Sequence, residues 1–377
     1  MAVSVVPDPG VISFARGVPS PDMFPVEQLA DCGRAAVLEH GRVALNYGAP
    51  GGYQPLREWI AARHGVTADR ILVTPGSLIG LNLVVRTVCA GRQAIVEAPT
   101  YDRMLHALAD AGSTVVTVGR GDDGLDLARL EEVAAASPAP ALLYVLPTFH
   151  NPTGRTLDEA QRRALVEVAV AHDLTVFEDD PYGLLRIEGE AQPSLLSLLR
   201  EAGREDLAIF ASSFSKSVAP GLRVGYLVLP EHLVAPLTQA VARTYVSPPL
   251  MAQAQLQLFL DAGYLEPHLA YLAAFLRPRR DALLDAFAGL PEGSTWTRPD
   301  GGYFLWLELP ERLDAADVNA RATEAGVTFV PGAGFYADHP RRSSARLAFS
   351  YPSVDQIRTG AERLVDLIRR RAEETTA

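Results

Sequence analysis

Between Gly51 and Val228 the sequence alternates short apolar runs with longer segments of helical periodicity, and this alternation strongly constrains the fold. Turn-forming residues end each apolar run. Short, nearly continuous apolar runs are typical of strands in a sheet that is covered on both faces. Helices between successive strands favour parallel connections, so we predict an α/β fold with a mostly parallel, doubly wound sheet. The predicted strands are residues 71–74, 94–97, 113–116, 142–146, 174–177, 208–211 and 225–228.

After Pro248 the pattern changes to long helices with a few strands. The last helix is expected to begin at Ser353, with Gln356 placed for a capping box. Helices beside a few strands indicate a smaller α+β domain, against which the N-terminal stretch is expected to fold. The predicted elements are helices over 248–290 and 315–325 and strands over 303–307 and 345–350. The predicted domains are a large one, residues 44–245, and a small one, residues 1–43 with 246–377.

Composition excludes several classes of protein. The net charge of −11 over 377 residues repels nucleic acid and anionic membranes. The sequence has no run of about 18 apolar residues, which a helix needs to cross a bilayer. Residues 1–9 lack the basic start and the apolar region of a signal peptide. Cys32 and Cys89 have no metal-ligand spacing and are expected to be buried as small apolar side chains. We therefore expect a cytoplasmic protein without metal, membrane or nucleic-acid partners.

A lysine follows the predicted strand 208–211 closely. Lys216 is flanked by the hydroxyls of Ser213 and Ser215, and Arg223 lies seven positions further on. This pattern suits a phosphorylated aldehyde: the amine forms a Schiff base, the hydroxyls donate to phosphate oxygens and the guanidinium neutralises the dianion. Taken alone, the segment is more often an exposed lysine in a serine-rich loop.

Polar side chains also follow two other predicted strands. Asn151 lies in the turn 147–154, and Asp179 and Tyr182 follow the strand 174–177. Open α/β sheets bind ligands beyond the carboxyl ends of their strands. A carboxylate buried there could pair with a protonated pyridine nitrogen. Taken alone, the first segment is a turn and the second a helix cap with a half-buried tyrosine.

Together and in this order, the three segments resemble those of the fold-type I, class I/II aminotransferases that depend on pyridoxal 5'-phosphate (PLP). The branch with 2-aminoadipate and kynurenine aminotransferases is the most similar. The resemblance runs nearly end to end and implies a ping-pong exchange of an amino group between an α-amino acid and a 2-oxo acid. Its other motifs lie at residues 12–15, 24–25, 45–48, 52, 56–57, 74–77, 97–101, 299–306, 330–332 and 346–350.

The resemblance implies three catalytic residues. Lys216 should carry PLP and move the substrate proton, Asp179 should bind the pyridine nitrogen, and Tyr101 should stack on the ring. Asn151 and Tyr182 should hydrogen-bond the ring hydroxyl. The residues expected at the phosphate are Gly76, Ser77, Leu78, Ser213, Ser215 and Arg223.

The resemblance also implies substrate and partner contacts. Arg346, assisted by Asn151, should pair with the substrate α-carboxylate. Tyr47 should reach the phosphate of the neighbouring subunit's cofactor, so the active unit should be a homodimer with shared sites.

Three positions depart from the family's usual residues. Leu78 stands where relatives usually carry glutamine, but only backbone is needed there. His150 replaces a common glutamine and is expected to be a spacer rather than a substrate contact. Arg16 stands where many relatives have glycine, and it is expected on the surface, with a gate over the site as the alternative.

The amino donor is open at this point. Residues 17–25 should form part of the wall of the pocket that meets the distal end of the substrate, and Asp22 belongs to this segment. Asp102 directly follows Tyr101 in the chain. Two carboxylates would favour a cationic donor bearing a guanidino or amino group, as in specialised biosynthesis. Alternatively both acids are solvated or cap helices, Arg16 pairs with one of them, and the donor is 2-aminoadipate or aromatic.

Two other functions compete with transamination. Fold does not fix reaction, so β-elimination and oxygen-dependent oxidation remain alternatives. A third alternative, the sensor domain of a transcription regulator, is disfavoured because the pattern begins by Ile12 and the net charge is negative.

Overall fold

The computed structural model describes residues 10–121, 124–136 and 140–374; the stretch 1–9, on which the signal-peptide prediction rests, lies outside them. The helices are α1 (Val26–Ala44), α2 (Gln54–His64), α3 (Ser77–Val84), α4 (Asp102–Asp110), α5 (Leu127–Ala136), α6 (Glu159–Ala171), α7 (Leu195–Glu201), α8 (Glu231–Thr244), α9 (Leu250–Asp261), α10 (Leu265–Phe287), α11 (Ala315–Glu324) and α12 (Val354–Glu374). The strands are β1 (Ile12–Ser13), β2 (Ile71–Thr74), β3 (Gln93–Ala98), β4 (Thr114–Gly121), β5 (Gly124–Leu125), β6 (Leu143–Val145), β7 (Val176–Asp179), β8 (Ala208–Ser213), β9 (Gly225–Val228), β10 (Thr295–Trp296), β11 (Phe304–Glu308), β12 (Val327–Thr328), β13 (Val330–Pro331) and β14 (Ser344–Ala348).

The central sheet has eight strands in the order β2-β9-β8-β7-β6-β3-β4-β5. Strands β8, β7, β6, β3 and β4 pair in parallel, which confirms the predicted mostly parallel α/β fold. Strand β9 is antiparallel to both of its neighbours. Only residues 214–224 connect it to β8, and this connection is shorter than the dozen or so residues that a parallel crossover needs.

Helices cover both faces of this sheet. On one face Leu72, Val96 and Tyr144 join a core with residues of α3, α4 and α8. On the other face Val73 and Leu143 join a core with residues of α2, α6, α7 and α9. Successive side chains of a strand point to opposite faces, so a sheet with two cores needs the continuous apolar runs seen in the sequence.

Strands β7 and β8 extend beyond the apolar runs that predict them. The apolar pattern ends a strand at Phe177, but β7 continues because Glu178 pairs with Phe210 and Asp179 with Ala211. Backbone pairing does not depend on side-chain polarity, and it places Asp179 inside the strand end. Helix α6 begins at Glu159, because Asp158 caps it in a reciprocal bond with Gln161.

The C-terminal region forms a second sheet, in the order β10-β11-β14-β13 and wholly antiparallel. Its core includes residues of α10, α11 and α12 together with Phe14 and Met23. Strand β1 pairs in parallel with β12, so the N-terminal segment lies beside this sheet. The predicted capping box of α12 is present: the Gln356 amide donates to Ser353 Oγ (3.2 Å), and the Ser353 amide donates to Gln356 Oε1 (2.9 Å).

Cys32 and Cys89 are both buried and unpaired. Within residues 10–121, 124–136 and 140–374 no helix is long and apolar enough to cross a bilayer. In the same part of the chain, no group of three or more histidine, cysteine and acidic side chains is arranged to hold a metal ion.

Candidate active site

Three neighbouring parallel strands, β6, β7 and β8, end at the same edge of the large sheet. The turn after β6 carries Asn151, β7 ends at Asp179, and Lys216 lies three residues beyond β8. Polar side chains that are far apart in sequence therefore meet beyond the carboxyl ends of the strands, where open α/β sheets bind ligands.

Asp179 has one held and one unpaired carboxylate oxygen. Its side chain is buried, and Oδ2 accepts a hydrogen bond from the Tyr144 hydroxyl over 2.6 Å. Oδ1 is buried without a hydrogen-bond partner among the described residues. Burial raises the pKa of Asp179 to about 7, although the Tyr144 bond opposes the rise. A buried unpaired oxygen is costly, so Oδ1 is suited to a cationic donor on a bound ligand.

Lys216 is half-buried beside two aromatic rings. Its Nζ donates to the Gly17 carbonyl over 3.0 Å and lies 6.0 Å and 5.8 Å from the ring centroids of Tyr182 and Tyr303. The Tyr303 hydroxyl donates to the Lys216 carbonyl over 2.9 Å. Burial, reinforced by the charges of Arg346 and Arg223, lowers the pKa of Lys216 to about 8. The neutral, nucleophilic fraction of the amine near neutral pH is therefore larger than that of an unperturbed lysine.

Hydroxyl, guanidinium and amide donors converge at the start of α3. Ser213 Oγ and Ser215 Oγ are 2.9 Å apart, and Nη1 of Arg223 is 3.5 Å from Ser215 Oγ. Gly76 caps α3 with φ 88°, and Ser77 is the first helical residue. A helix N-terminus favours an anion because its amides point outward. This donor set is suited to a phosphate, and we refer to it as the proposed phosphate site.

Glycine is required at two positions of this phosphate site. A Cβ on Gly76 would collide with the guanidinium of Arg223, and a Cβ on Gly225 would collide with the backbone of Gly76 and Ser77. The close approach of these segments keeps the donors together. Leu78 supplies backbone here, and its carbonyl accepts from the Asn82 side chain over 2.8 Å.

Arg346, on β14, is held between two aromatic rings. Its Cζ lies 4.4 Å from the Phe304 centroid and 5.0 Å from the Phe335 centroid. Nη1 donates to Asn151 Oδ1 over 3.0 Å, and Nη2 donates to the Ala15 carbonyl over 3.2 Å. Its Nε is buried without a hydrogen-bond partner in the described chain. A fixed planar guanidinium with an unused donor is suited to a carboxylate.

Two tyrosines and one acid interact electrostatically with this arginine. Burial raises the pKa of Tyr101 and of Tyr182. Burial lowers the pKa of Arg346, and the acidic groups of Tyr182, Asp102 and Tyr101 oppose that change. The Tyr182 ring is fixed by edge contacts, with centroid distances of 5.5 Å to both Tyr303 and Phe304.

Asp22, which is predicted to lie in the substrate pocket wall, has no described contact with this cluster. It lies in an exposed turn, where Ser20 Oγ donates to its carboxylate over 3.3 Å and its carbonyl accepts from Tyr271. It lines a separate groove with Phe24 and Tyr264. Ser20 caps the turn Pro21–Met23, in which Asp22 lies.

Tyr47 and Arg16 are the remaining residues that are predicted to contact cofactor or substrate. Tyr47 is 85% exposed. Arg16 is half-buried, and its Cζ lies 4.5 Å from the centroid of the Tyr351 ring.

His150 is fully buried next to Asn151 and belongs to a polar network. Its Nδ1 is 2.8 Å from Thr153 Oγ1, and its Nε2 is 3.3 Å from Glu97 Oε2. Burial, reinforced by the charge of Arg120, lowers the pKa of His150 to about 4, so it is neutral at pH 7. Burial alone would raise the pKa of Glu97, but Arg120 and His150 lower it to about 2. These contacts join the His150 ring to Thr153 and Glu97, which fits the spacer role predicted for it.

Sequence reasoning misses several groups that shape the site. Tyr144 lies in an apolar run that predicts a core position, although a buried tyrosine hydroxyl usually has a partner. The Phe335 ring and the carbonyls of Ala15 and Gly17 leave no signal of their own in the sequence, because their roles depend on packing between the two sheets.

The donor set fits a phosphorylated pyridine aldehyde. The unpaired Oδ1 of Asp179 suits a protonated ring nitrogen, the neutral fraction of Lys216 suits the aldehyde, and the phosphate site suits the dianion.

Comparison with known proteins agrees with this fit. Residues 12–377 match the aspartate amino-transferase family. The chain is 37% identical to the 2-aminoadipate transaminase of Thermus thermophilus, over 94% of this chain and 89% of that protein. It is 33% identical to aromatic-amino-acid aminotransferase 1 of Thermococcus litoralis, over 95% of this chain and 88% of that protein.

Solved structures show the same fold. The crystal structure of the α-aminoadipate aminotransferase of Thermus thermophilus, complexed with N-(5'-phosphopyridoxyl)-L-leucine, superposes with a TM-score of 0.91 and 35% identity. The match covers 96% of this chain and 92% of that one. The chain therefore belongs to the aspartate amino-transferase family and is a PLP-dependent aminotransferase of fold type I.

Proposed function

We propose that this aminotransferase acts on α-amino acids with Lys216 as the cofactor lysine and Arg346 as the receptor for the α-carboxylate. One observation carries the proposal: Nζ of Lys216 and Nη2 of Arg346 donate to the carbonyls of Gly17 and Ala15, two residues apart. Since a residue spans at most about 3.6 Å, the two donors lie no more than about 13 Å apart. An amino group and a carboxylate on one Cα can therefore be held between them.

Each residue then has a defined task. When bound, PLP supplies an aldehyde that condenses with amines and a cationic ring that withdraws electrons. Arg346 and Asn151 would orient the substrate carboxylate, and Nζ of Lys216 would take the proton from Cα. Asp179 would hold a proton on the ring nitrogen through Oδ1, and Tyr101 would stack on the ring.

The remaining cofactor contacts belong to the same proposal. Tyr182 and Asn151 would donate to the ring hydroxyl. The phosphate ligands would be Gly76, Ser77, Leu78, Ser213, Ser215 and Arg223.

A homodimer is part of the proposal. The exposed Tyr47 lies among other exposed apolar side chains, Val43, Leu45 and Val246. The Gly48 amide donates to Ser247 Oγ over 3.2 Å, which brings these two segments together. Contiguous exposed apolar surface commonly marks an interface. We propose that this surface meets a second copy, in whose site Tyr47 reaches the phosphate, and that the enzyme acts in the cytoplasm.

Two domains are proposed with the same residues as above, 44–245 and 1–43 with 246–377. Support comes from the separate core around the second sheet. Cys32 of α1 and Leu256 of α9 join the core of the large sheet, so these helices would connect the two domains.

For the donor, we propose 2-aminoadipate or an aromatic amino acid, the substrates named for the relatives. A cationic donor is the second candidate. Support for a cationic donor comes from Asp102, whose charge acts to raise the pKa of Arg346. Asp22 adds no support, because it lines a groove with Phe24 and Tyr264 and has no described contact with the cluster.

Single-turnover mixing tests the proposed reaction. With one amino acid and no acceptor, about one equivalent of 2-oxo acid should form per subunit, and further product should require an added 2-oxo acid. Continued release of ammonia without an acceptor would indicate elimination, and consumption of oxygen would indicate oxidation. Either result would contradict transamination.

A donor panel tests specificity. kcat/KM for 2-aminoadipate, aromatic and lysine- or arginine-like donors should favour the first two classes. A preference for cationic donors that is lost in Asp102→Asn would overturn this assignment while leaving transamination intact.

A further inference from the structure

The Tyr144 hydroxyl holds one oxygen of Asp179. Tyr144 lies in the middle of β6, with 0% of its surface exposed, and it donates to Asp179 Oδ2 over 2.6 Å. Charge-assisted O–H···O bonds have this length. The bond joins the side chains of two adjacent parallel strands, in which Tyr144 pairs with Phe177 through the backbone.

The tyrosine itself is fixed. Its ring meets Phe177 edge-on, with centroids 5.5 Å apart, and lies in the closed core between the sheet and its covering helices. Interiors this densely packed allow little displacement of a side chain. The hydroxyl position is therefore set by the sheet and not by a ligand.

The bond makes the two oxygens of Asp179 different. Oδ2 is occupied by Tyr144, whereas Oδ1 is buried and unpaired among the described residues. A phenylalanine would fill the core as well, so packing alone does not call for the hydroxyl. The hydroxyl fixes the carboxylate rotamer and favours its ionised form, because a donated hydrogen bond stabilises the anion.

We propose that Tyr144 is a positioning residue of the aminotransferase, which keeps Asp179 ionised and presents its Oδ1 to the cofactor ring nitrogen. This inference rests on the proposed function of Asp179. The electrostatics agree with it, since burial and Asp180 both raise the pKa of Asp179 and the Tyr144 bond acts against them.

The test compares Tyr144→Phe with Tyr226→Phe as holoenzymes. Tyr226 is a matched control because it is also buried in the large sheet, but its hydroxyl lies 3.0 Å from Nε2 of His64. The first readout is the ¹⁵N NMR shift of ring-labelled PLP, which reports whether the ring nitrogen is protonated. We expect partial loss of the protonated signal in Tyr144→Phe, and wild-type behaviour in Tyr226→Phe.

Kinetics give the second readout. A hydrogen bond to a charged group is strong enough for its loss to lower kcat about tenfold. KM and PLP affinity should stay within about twofold, because the carboxylate and phosphate contacts remain. In an Asp179→Asn background, Tyr144→Phe should have almost no further effect on kcat, since the residue acts through Asp179.

Two results would overturn the inference: an unchanged ring-nitrogen signal in folded Tyr144→Phe, or a loss of kcat that is equally large with and without Asp179. If the variant folds poorly, the ¹⁵N signal of its folded fraction still shows whether the ring nitrogen is protonated. Failure of the proposed function would look different, since PLP would not be attached to Lys216 in the wild-type protein.

Discussion

Arg346 and Asn151 are joined by a hydrogen bond, Nη1 to Oδ1 over 3.0 Å, although 195 positions separate them in the chain. Arg346 belongs to the four-stranded antiparallel sheet, and Asn151 lies in the turn that follows β6 of the large sheet. The proposed carboxylate site is therefore built across two sheets, and its geometry depends on how they pack together.

Arg346→Ala should raise KM for every α-amino acid alike, because the α-carboxylate is common to all donors. Loss of a charge-assisted contact predicts a drop of about 10- to 100-fold in kcat/KM. Steady-state kinetics with several donors measure it. Arg342→Ala is the control, since Arg342 is an exposed arginine near β14 that pairs with Asp314; an equal loss there would contradict the assignment.

Asp179→Asn should cost far more in kcat than in cofactor affinity. The amide keeps the shape of the side chain but cannot hold a proton on a ring nitrogen, and a loss on the order of 10²-fold is expected. Parallel measurement of kcat and PLP dissociation separates the two quantities. Asp180→Asn serves as the comparison: if it lowers kcat more than Asp179→Asn, Asp180 is the ring partner.

The pKa of Lys216 predicts the pH dependence of cofactor attachment. The pKa is lowered to about 8, so the nucleophilic neutral amine increases as pH rises through 8 and is complete above it. Stopped-flow absorbance after mixing PLP with the cofactor-free protein should show a rate that rises and then levels off near pH 9. A rate still rising steeply toward pH 10.5 would mean an unperturbed lysine.

Tyr47→Phe should weaken PLP retention only within a dimer, because the residue is exposed in its own subunit. Mixed dimers of Tyr47→Phe and Lys216→Ala give the measurement. In this dimer the intact Lys216 lies in the Tyr47→Phe subunit, so shared sites predict that it receives Tyr47 from the Lys216→Ala subunit and keeps wild-type PLP affinity. If each subunit supplied its own Tyr47, the affinity would be reduced. A monomer by light scattering would remove this role.

Much of the fold could be predicted because its elements carry local signals. The strands Ile71–Thr74 and Gly225–Val228 coincide with their apolar runs, and the capping box at Ser353 marks the start of α12. The ends of other strands could not be located from hydropathy, since Asp179 is in the sheet through backbone pairing.

The site residues likewise fall into those that a local sequence signal marks and those that depend on tertiary contacts. Lys216 and Asn151 could be placed because turn residues and strand ends mark them in the sequence. The surroundings of Asp22 could not be predicted, because the path of the N-terminal segment depends on tertiary contacts, including the bond from the Tyr271 hydroxyl to its carbonyl. The role of Tyr144 could not be predicted because its partner lies on another strand.

The residue that carries the cofactor is the most direct thing to measure. Borohydride reduction of the yellow holoenzyme, followed by peptide mapping, should place one covalent label on Lys216. Lys216→Ala should still bind PLP through its phosphate and ring contacts, but without turnover or a label. A label on any other lysine, or turnover in Lys216→Ala, would contradict the assignment of Lys216 and the mechanism built on it.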